Sequence, residues 1–151
     1  MANNTIITYQ DGSVSSYSIV GEINYNSIAN KSNIIFAEIG SDVSSIGNSA
    51  FSGCSKISTI IVPDYVEIIG PYAFSGCNNL TNVVISNGVK TIGQNAFESC
   101  SSLSSIAIPS SVTNVGYWAF SGCSNISSFI VDENNPNYSS FSNLLLSKDR
   151  S

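Results

Sequence analysis

The sequence predicts a solenoid with short parallel β-strands on one face. Short 3₁₀ or helical turns and brief strands make up the rest of each coil, and a β-hairpin covers the N-terminal end. Three observations lead there. The first is a repeat: phenylalanine falls at Phe51, Phe74, Phe97 and Phe120, 23 residues apart each time. Self-similarity at a fixed period of this length is the mark of stacked supersecondary units. The second is the company those phenylalanines keep in every copy. Cysteine recurs at Cys54, Cys77, Cys100 and Cys123, glycine at Gly47, Gly70, Gly93 and Gly116, and alanine at Ala50, Ala73, Ala96 and Ala119. The third is composition. Serine supplies about a fifth of the residues, while charged residues make up only 10% and hydrophobic ones 42%. A chain so short of Lys and Glu takes its polarity from small neutral side chains, which suit tight turns and stacked backbones better than long amphipathic helices.

Each element of the coil follows from the columns. The copies read C-x-x-L-x-x-I-x-V-(P)-x-x-V-x-x-I-G-x-x-A-F-x-x-C. The stretch around Ile60-Ile61-Val62 alternates, as a strand does with Ile60 and Val62 inward and Ile61 outward. Its equivalents are Val83/Ile85, Ile106/Ile108 and Phe129/Val131. Pro63, Ser86, Pro109 and Asp132 follow the strand and start a turn. V-x-x-I (Val43 and Ile46, then Val66 and Ile69, Val89 and Ile92, Val112 and Val115) is a second inward-facing stretch, read as a brief strand. The glycine then allows a bend, and A-F-x-x-C fits one short helical or 3₁₀ turn with Phe at the centre of the coil.

These motifs resemble the 23-residue class of leucine-rich repeat, the BspA-like (Treponema pallidum-type) class. They run from Val43-x-x-Ile46-Gly47-x-x-Ala50-Phe51-x-x-Cys54-x-x-Ile57-x-x-Ile60-x-Val62-Pro63 through three successors and cover residues 34–131, about two thirds of the chain. Two departures are mild: Ser99 stands where Gly53, Gly76 and Gly122 stand, and Phe129 replaces an aliphatic residue. The resemblance implies a leucine-rich repeat solenoid and a protein of the cell surface or a secreted one. It further implies adhesion to host cells, matrix proteins or other microbes.

The organisation is read as three parts. Residues 1–33 hold a capping hairpin and linker, in which Asp11-Gly12 sits between two alternating runs. Residues 34–131 are the solenoid, with 33–39 as its first strand and no complete repeat before it. Residues 132–151 form an irregular C-terminal cap or the start of a further repeat. The first residues, Met1-Ala2-Asn3-Asn4-Thr5, lack the basic start and apolar core of a signal peptide. No apolar run approaches the length of a membrane span.

Composition excludes several functions. The chain has no histidine, which removes His-based triads and His metal sites. Five Lys+Arg against ten Asp+Glu, a net charge of −5, is the wrong balance for nucleic acid or anionic lipid. The cysteines form one column with no C-x-x-C pair, so they read as buried structural thiols, with a disulfide between neighbouring coils as the alternative. Serines are plentiful, but none lies in G-x-S-x-G or S-x-x-K, and acids such as Asp64, Glu67, Asp132 and Glu133 are scattered at turns. The expectation is therefore no enzyme, no cofactor and no metal.

Candidate binding residues are the outward positions of the strands. One column holds Glu38, Ile61, Val84, Ala107 and Ile130; the column two residues earlier holds Phe36, Thr59, Asn82, Ser105 and Ser128. A contiguous exposed apolar stripe would mark an interaction site for a protein partner, although Ile and Val are also simply good strand formers. The alternative to adhesion is a scaffold, or a structural domain that self-assembles, for instance as a homodimer, through Ile61, Val84 and Ile130. Tyr65, Tyr72, Tyr117 and Trp118 fall in turns or on the arc, with Trp118 read as packing. Asn3, Asn30, Asn79, Asn125 and Asn137 stand in N-x-[ST] sequons.

Overall fold

A computed structural model describes residues 4–148. Leu, Ile and Val at the period of the repeat wind the chain into a β-solenoid of about five turns with almost no helix. Strands β1 (Thr5–Tyr9) and β2 (Val14–Tyr17) form an antiparallel hairpin around Asp11 and Gly12. β3 (Gly21–Ile23) and a 3₁₀ turn (Lys31–Asn33) precede β4 (Ile34–Glu38) and β5 (Val43–Ile46). Each following coil contributes one longer and one brief strand. These are β6 (Thr59–Val62) with β7 (Ile68–Ile69), β8 (Asn82–Ile85) with β9 (Thr91–Ile92), and β10 (Ser105–Ile108) with β11 (Asn114–Val115). β12 (Ser128–Val131) closes the series, and β13 (Tyr138–Phe141) and β14 (Leu144–Ser147) form a second antiparallel hairpin.

The brief strands build the longer sheet. β3, β5, β7, β9 and β11 form one continuous parallel sheet of five strands, whereas the longer strands are hydrogen-bonded in pairs, β6 with β8 and β10 with β12. β8 and β10 lie side by side without a shared ladder, as do β4 and β6. β4, expected as the first strand of the parallel sheet, instead takes its ladder from the hairpin: it pairs antiparallel with β1, Ile7 opposite Ala37. An edge strand without a coil before it is thereby covered rather than left open.

The third side of the coil has its own ladder. The Phe51 N–H donates to the Ala73 carbonyl at 2.7 Å, Phe74 to Ala96 at 2.7 Å and Phe97 to Ala119 at 2.8 Å. Within each coil the A-F-x-x-C segment is a run of single turns closed by i→i+3 bonds, such as Ala73 N–H to Gly70 O and Cys77 N–H to Phe74 O, and no continuous helix forms. Inside the coils, Phe51, Phe74, Phe97 and Phe120 stack with centroids 5.2–5.6 Å apart and planes within 11°. The first three are fully buried beside Ile60, Ile69, Leu80 and Ile92.

The glycine column has a different cause from the bend expected of it. A Cβ on Gly93 would lie 2.6 Å from the Gly70 carbonyl carbon, and one on Gly116 would lie 2.4 Å from the Gln94 nitrogen. Close approach between neighbouring backbones, not a left-handed φ, requires glycine there. The left-handed positions are two other columns. Gly53, Gly76, Ser99 and Gly122 have φ of 76°, 75°, 58° and 73°, and Ser49, Tyr72, Asn95 and Trp118 have φ of 54–56°.

Both ends carry disguised coils. Residues 21–39 trace the path of a repeat: Ile23 pairs opposite Ile46, and Ile28 is buried in the phenylalanine column. Ile34, Ala37 and Ile39 fill the inward strand positions. Lys31 takes the cysteine place, donates to the Ser49 carbonyl at 2.8 Å and lies 3.9 Å from the Tyr25 ring centroid. At the other end, Asn135 occupies the valine column and is 1% exposed. Its amide donates to Pro109 O and Val112 O at 2.7 and 2.9 Å, and its oxygen accepts from the N–H groups of Asn137 and Tyr138. The Tyr138 hydroxyl accepts from the Val115 N–H at 2.7 Å.

Candidate protein-binding face

Alternation on the longer strands turns both residues of each inward pair, such as Ile60 and Val62, toward the core and leaves the residue between them outside. Ile61, Val84 and Ile130 are 54%, 43% and 59% exposed, and Ala107 and Glu38 are exposed as well. Register places Ile61 directly opposite Val84 and Ala107 opposite Ile130. The second column is mixed: Phe36 and Asn82 are exposed, and Thr59, Ser105 and Ser128 are half-buried. The strands thus bring the ten candidate residues onto one face. Four of them form an apolar row, with the small polar residues beside it.

The face is not uniform. Where β4 and β6 part, a groove of about 330 Å³ opens between Phe36, Glu38, Ile39, Thr59, Ile61 and Tyr65. The Tyr65 hydroxyl donates to the Ile39 carbonyl at 2.6 Å and so holds the groove's end in place, and burial raises its pKa. Tyr65 was read from sequence only as a turn residue; the hydrogen bond that makes it a wall spans 26 positions and leaves no local signal. Glu38 sits at the hairpin end of the row, opposite Ile6.

Trp118, read from sequence as packing, is 68% exposed, and Tyr117 beside it is 83% exposed. Their rings lie 6.5 Å apart and tilted, and Trp118 has a left-handed φ of 56°. The sequon asparagines Asn30, Asn79, Asn125 and Asn137 are exposed, and Asn3 lies outside the described residues.

The cysteine column is inside. All four thiols are free and buried. Cys77, Cys100 and Cys123 each donate from Sγ to a phenylalanine carbonyl at 3.1–3.3 Å. Burial pushes Cys54 up to about 12 and Cys77 further in the same direction. A hydrogen bond with Cys123, reinforced by burial, raises Cys100. The same bond lowers Cys123, but all four thiols are buried and shielded from solvent, as structural rather than reactive cysteines are. Among the described residues, no group of three or more His, Cys, Asp or Glu could hold a metal ion, and no helix is long and apolar enough to cross a membrane.

Fold and outward face together define a repeat solenoid built for protein–protein interaction. The chain belongs to the BspA type leucine rich repeat region family, whose sequence model matches residues 21–146 in six copies. Those bounds take in both disguised coils. Solved structures agree. The pneumococcal vaccine antigen PcpA is 26% identical with a TM-score of 0.59, over 72% of this chain and 27% of that one. A leucine-rich repeat protein from Bacteroides capillosus is 26% identical with a TM-score of 0.55, over 87% of this chain and 96% of that one. One from Eubacterium ventriosum, 21% identical with a TM-score of 0.63 over 97% of this chain and 46% of that one, shares the fold. The chain thus spans under half the length of PcpA and of the Eubacterium protein. No curated protein matches it. This family and fold are typically those of non-catalytic interaction modules.

Proposed function

We propose that this protein is an adhesion module displayed at a cell surface or secreted, which grips a protein of a host cell, the matrix or another microbe through its strand face. The observation that carries the reading is the row Ile61, Val84, Ala107 and Ile130, apolar, exposed and in register within each strand pair. Charged groups are few around it, so desolvation on docking costs little, and apolar area is the main source of affinity. The groove beside Phe36 and Ile61 offers a pocket for one large apolar anchor from the partner. Similarity to a vaccine antigen, which by its use is exposed to a host, supports a surface location.

The test is binding of labelled protein to epithelial cells and to immobilised matrix proteins. Wild type is expected to bind, and the Ile61→Glu/Val84→Glu variant to lose at least tenfold in affinity with its fold intact. The same row could serve two copies of this chain. Light scattering that shows a wild-type dimer abolished by the variant, with no cell binding, would assign the face to self-assembly instead.

A further inference from the structure

Away from the strand face, a cleft of about 570 Å³ lies between the N-terminal hairpin and the turn before β4. Its volume falls within the range of small-ligand sites. We propose that this cleft binds a neutral short saccharide.

Its walls carry amides, hydroxyls and two tyrosine rings. No Lys or Arg lines it, and the one ammonium at its edge, that of Lys56, is engaged by the oxygens of two lining amides, Gln10 and Asn33, which disfavours an anion. The one acid in the lining, Asp11, spends Oδ1 on the Ser13 N–H at 2.9 Å and the Ser13 hydroxyl at 2.6 Å. Only Oδ2 of that carboxylate is left, and no second carboxylate lines the cleft, which is too few ligands to hold a cation. Hydrogen bonds hold the donors in place. The Lys56 ammonium, reaching across from the next coil, donates to Gln10 Oε1 and, at 3.1 Å, to Asn33 Oδ1. Both amides thus have their oxygens committed to Lys56, and neither NH₂ group has an acceptor among the described residues. The Gln10 N–H in turn donates to the Asn33 carbonyl at 2.8 Å, locking the two lining segments together.

At the floor, the Tyr9 and Tyr17 hydroxyls are hydrogen-bonded at 2.8 Å, with Tyr9 buried and Tyr17 half-buried. Fixed amide donors beside a tyrosine wall match a sugar ring, whose hydroxyls accept hydrogen bonds and whose C–H face needs apolar contact. The site is separate from the row on the strands, so it adds a second specificity to the same module.

The experiment is saturation-transfer NMR on the full chain with maltotriose, cellotriose, mannotriose and N-acetyllactosamine, and with tetraalanine as the peptide probe. At least one saccharide is expected to receive saturation from the protein. Its affinity should fall at least tenfold in Gln10→Ala, an exposed substitution, and in Tyr17→Ala, while Ile61→Glu/Val84→Glu binds it as wild type does. No transfer to any saccharide would overturn the proposal. So would equal affinity in both cleft variants, when each keeps the wild-type thermal transition, and so would transfer to tetraalanine alone.

Discussion

Phe74 is enclosed by Phe51 on one side and Phe97 on the other, stacked within 5.5 Å of each. Truncation removes a buried ring and leaves a void that two rigid neighbours cannot fill. Phe74→Ala should cost about 3–5 kcal/mol in a denaturant melt; a loss under about 1 kcal/mol would put the ring elsewhere than the coil centre. The two glycine columns differ in kind, and single substitutions separate them. Gly93→Ala drives a methyl into the backbone of the preceding coil and should cost about 3 kcal/mol. Ser99, by contrast, holds a left-handed φ of 58° where its counterparts are glycine. Ser99→Gly should stabilise the protein by up to about 1 kcal/mol, since relief of the left-handed penalty slightly exceeds the added entropy of the unfolded chain. Chemical denaturation of both variants reads the opposite signs directly.

Among the elements, the cysteine column predicts a pH dependence. Cys54 titrates near 12 when folded and near 9 when free, so the folded state resists losing protons that the unfolded chain gives up. The stability this represents is fully present below about pH 9 and is lost as pH rises toward 12. Raised values at Tyr9 and Tyr65 act in the same direction. The melting temperature should fall through that window, and less steeply for Cys54→Ala/Cys77→Ala than for wild type. A polar thiol reagent should label none of the four until denaturation. The segment after β12 rests on Asn135, whose side chain satisfies two carbonyls of the preceding coil. Asn135→Ala orphans them and should cost about 2–3 kcal/mol by thermal melt.

These elements also show how far the sequence could be read. Regular coils were legible because each column repeats one shape at one spacing, and stacking forces that shape on every copy. The outward row was legible for the same reason, through strand alternation at Ile61 and Val84. Lys31 and Asn135 hid the outer coils, because a lysine and an asparagine stand where the columns carry cysteine and valine, and their hydrogen bonds to the neighbouring coil leave no periodic signal. Exposure of Trp118 was also hidden: Asn95 holds the same column with the same left-handed φ yet is buried, so neither the column nor the local backbone reports it. Pairing of β4 with the hairpin joins segments about 30 residues apart, which no periodicity reports.

For the whole molecule, the solenoid is a rigid support whose core columns fix the spacing of whatever its outer columns display. The five-stranded sheet of brief strands offers an internal control for any claim about the opposite face, since Ile68 on β7 is also 44% exposed. A partner that merely responds to exposed apolar area would feel the loss of either residue. The decisive measurement is the affinity of a bound host or matrix protein for three purified proteins: wild type, Ile61→Glu/Val84→Glu and Ile68→Glu. The strand-face account predicts a loss of at least tenfold in the double variant, with Ile68→Glu indistinguishable from wild type. Equal affinity in all three, or a loss confined to Ile68→Glu, would contradict it.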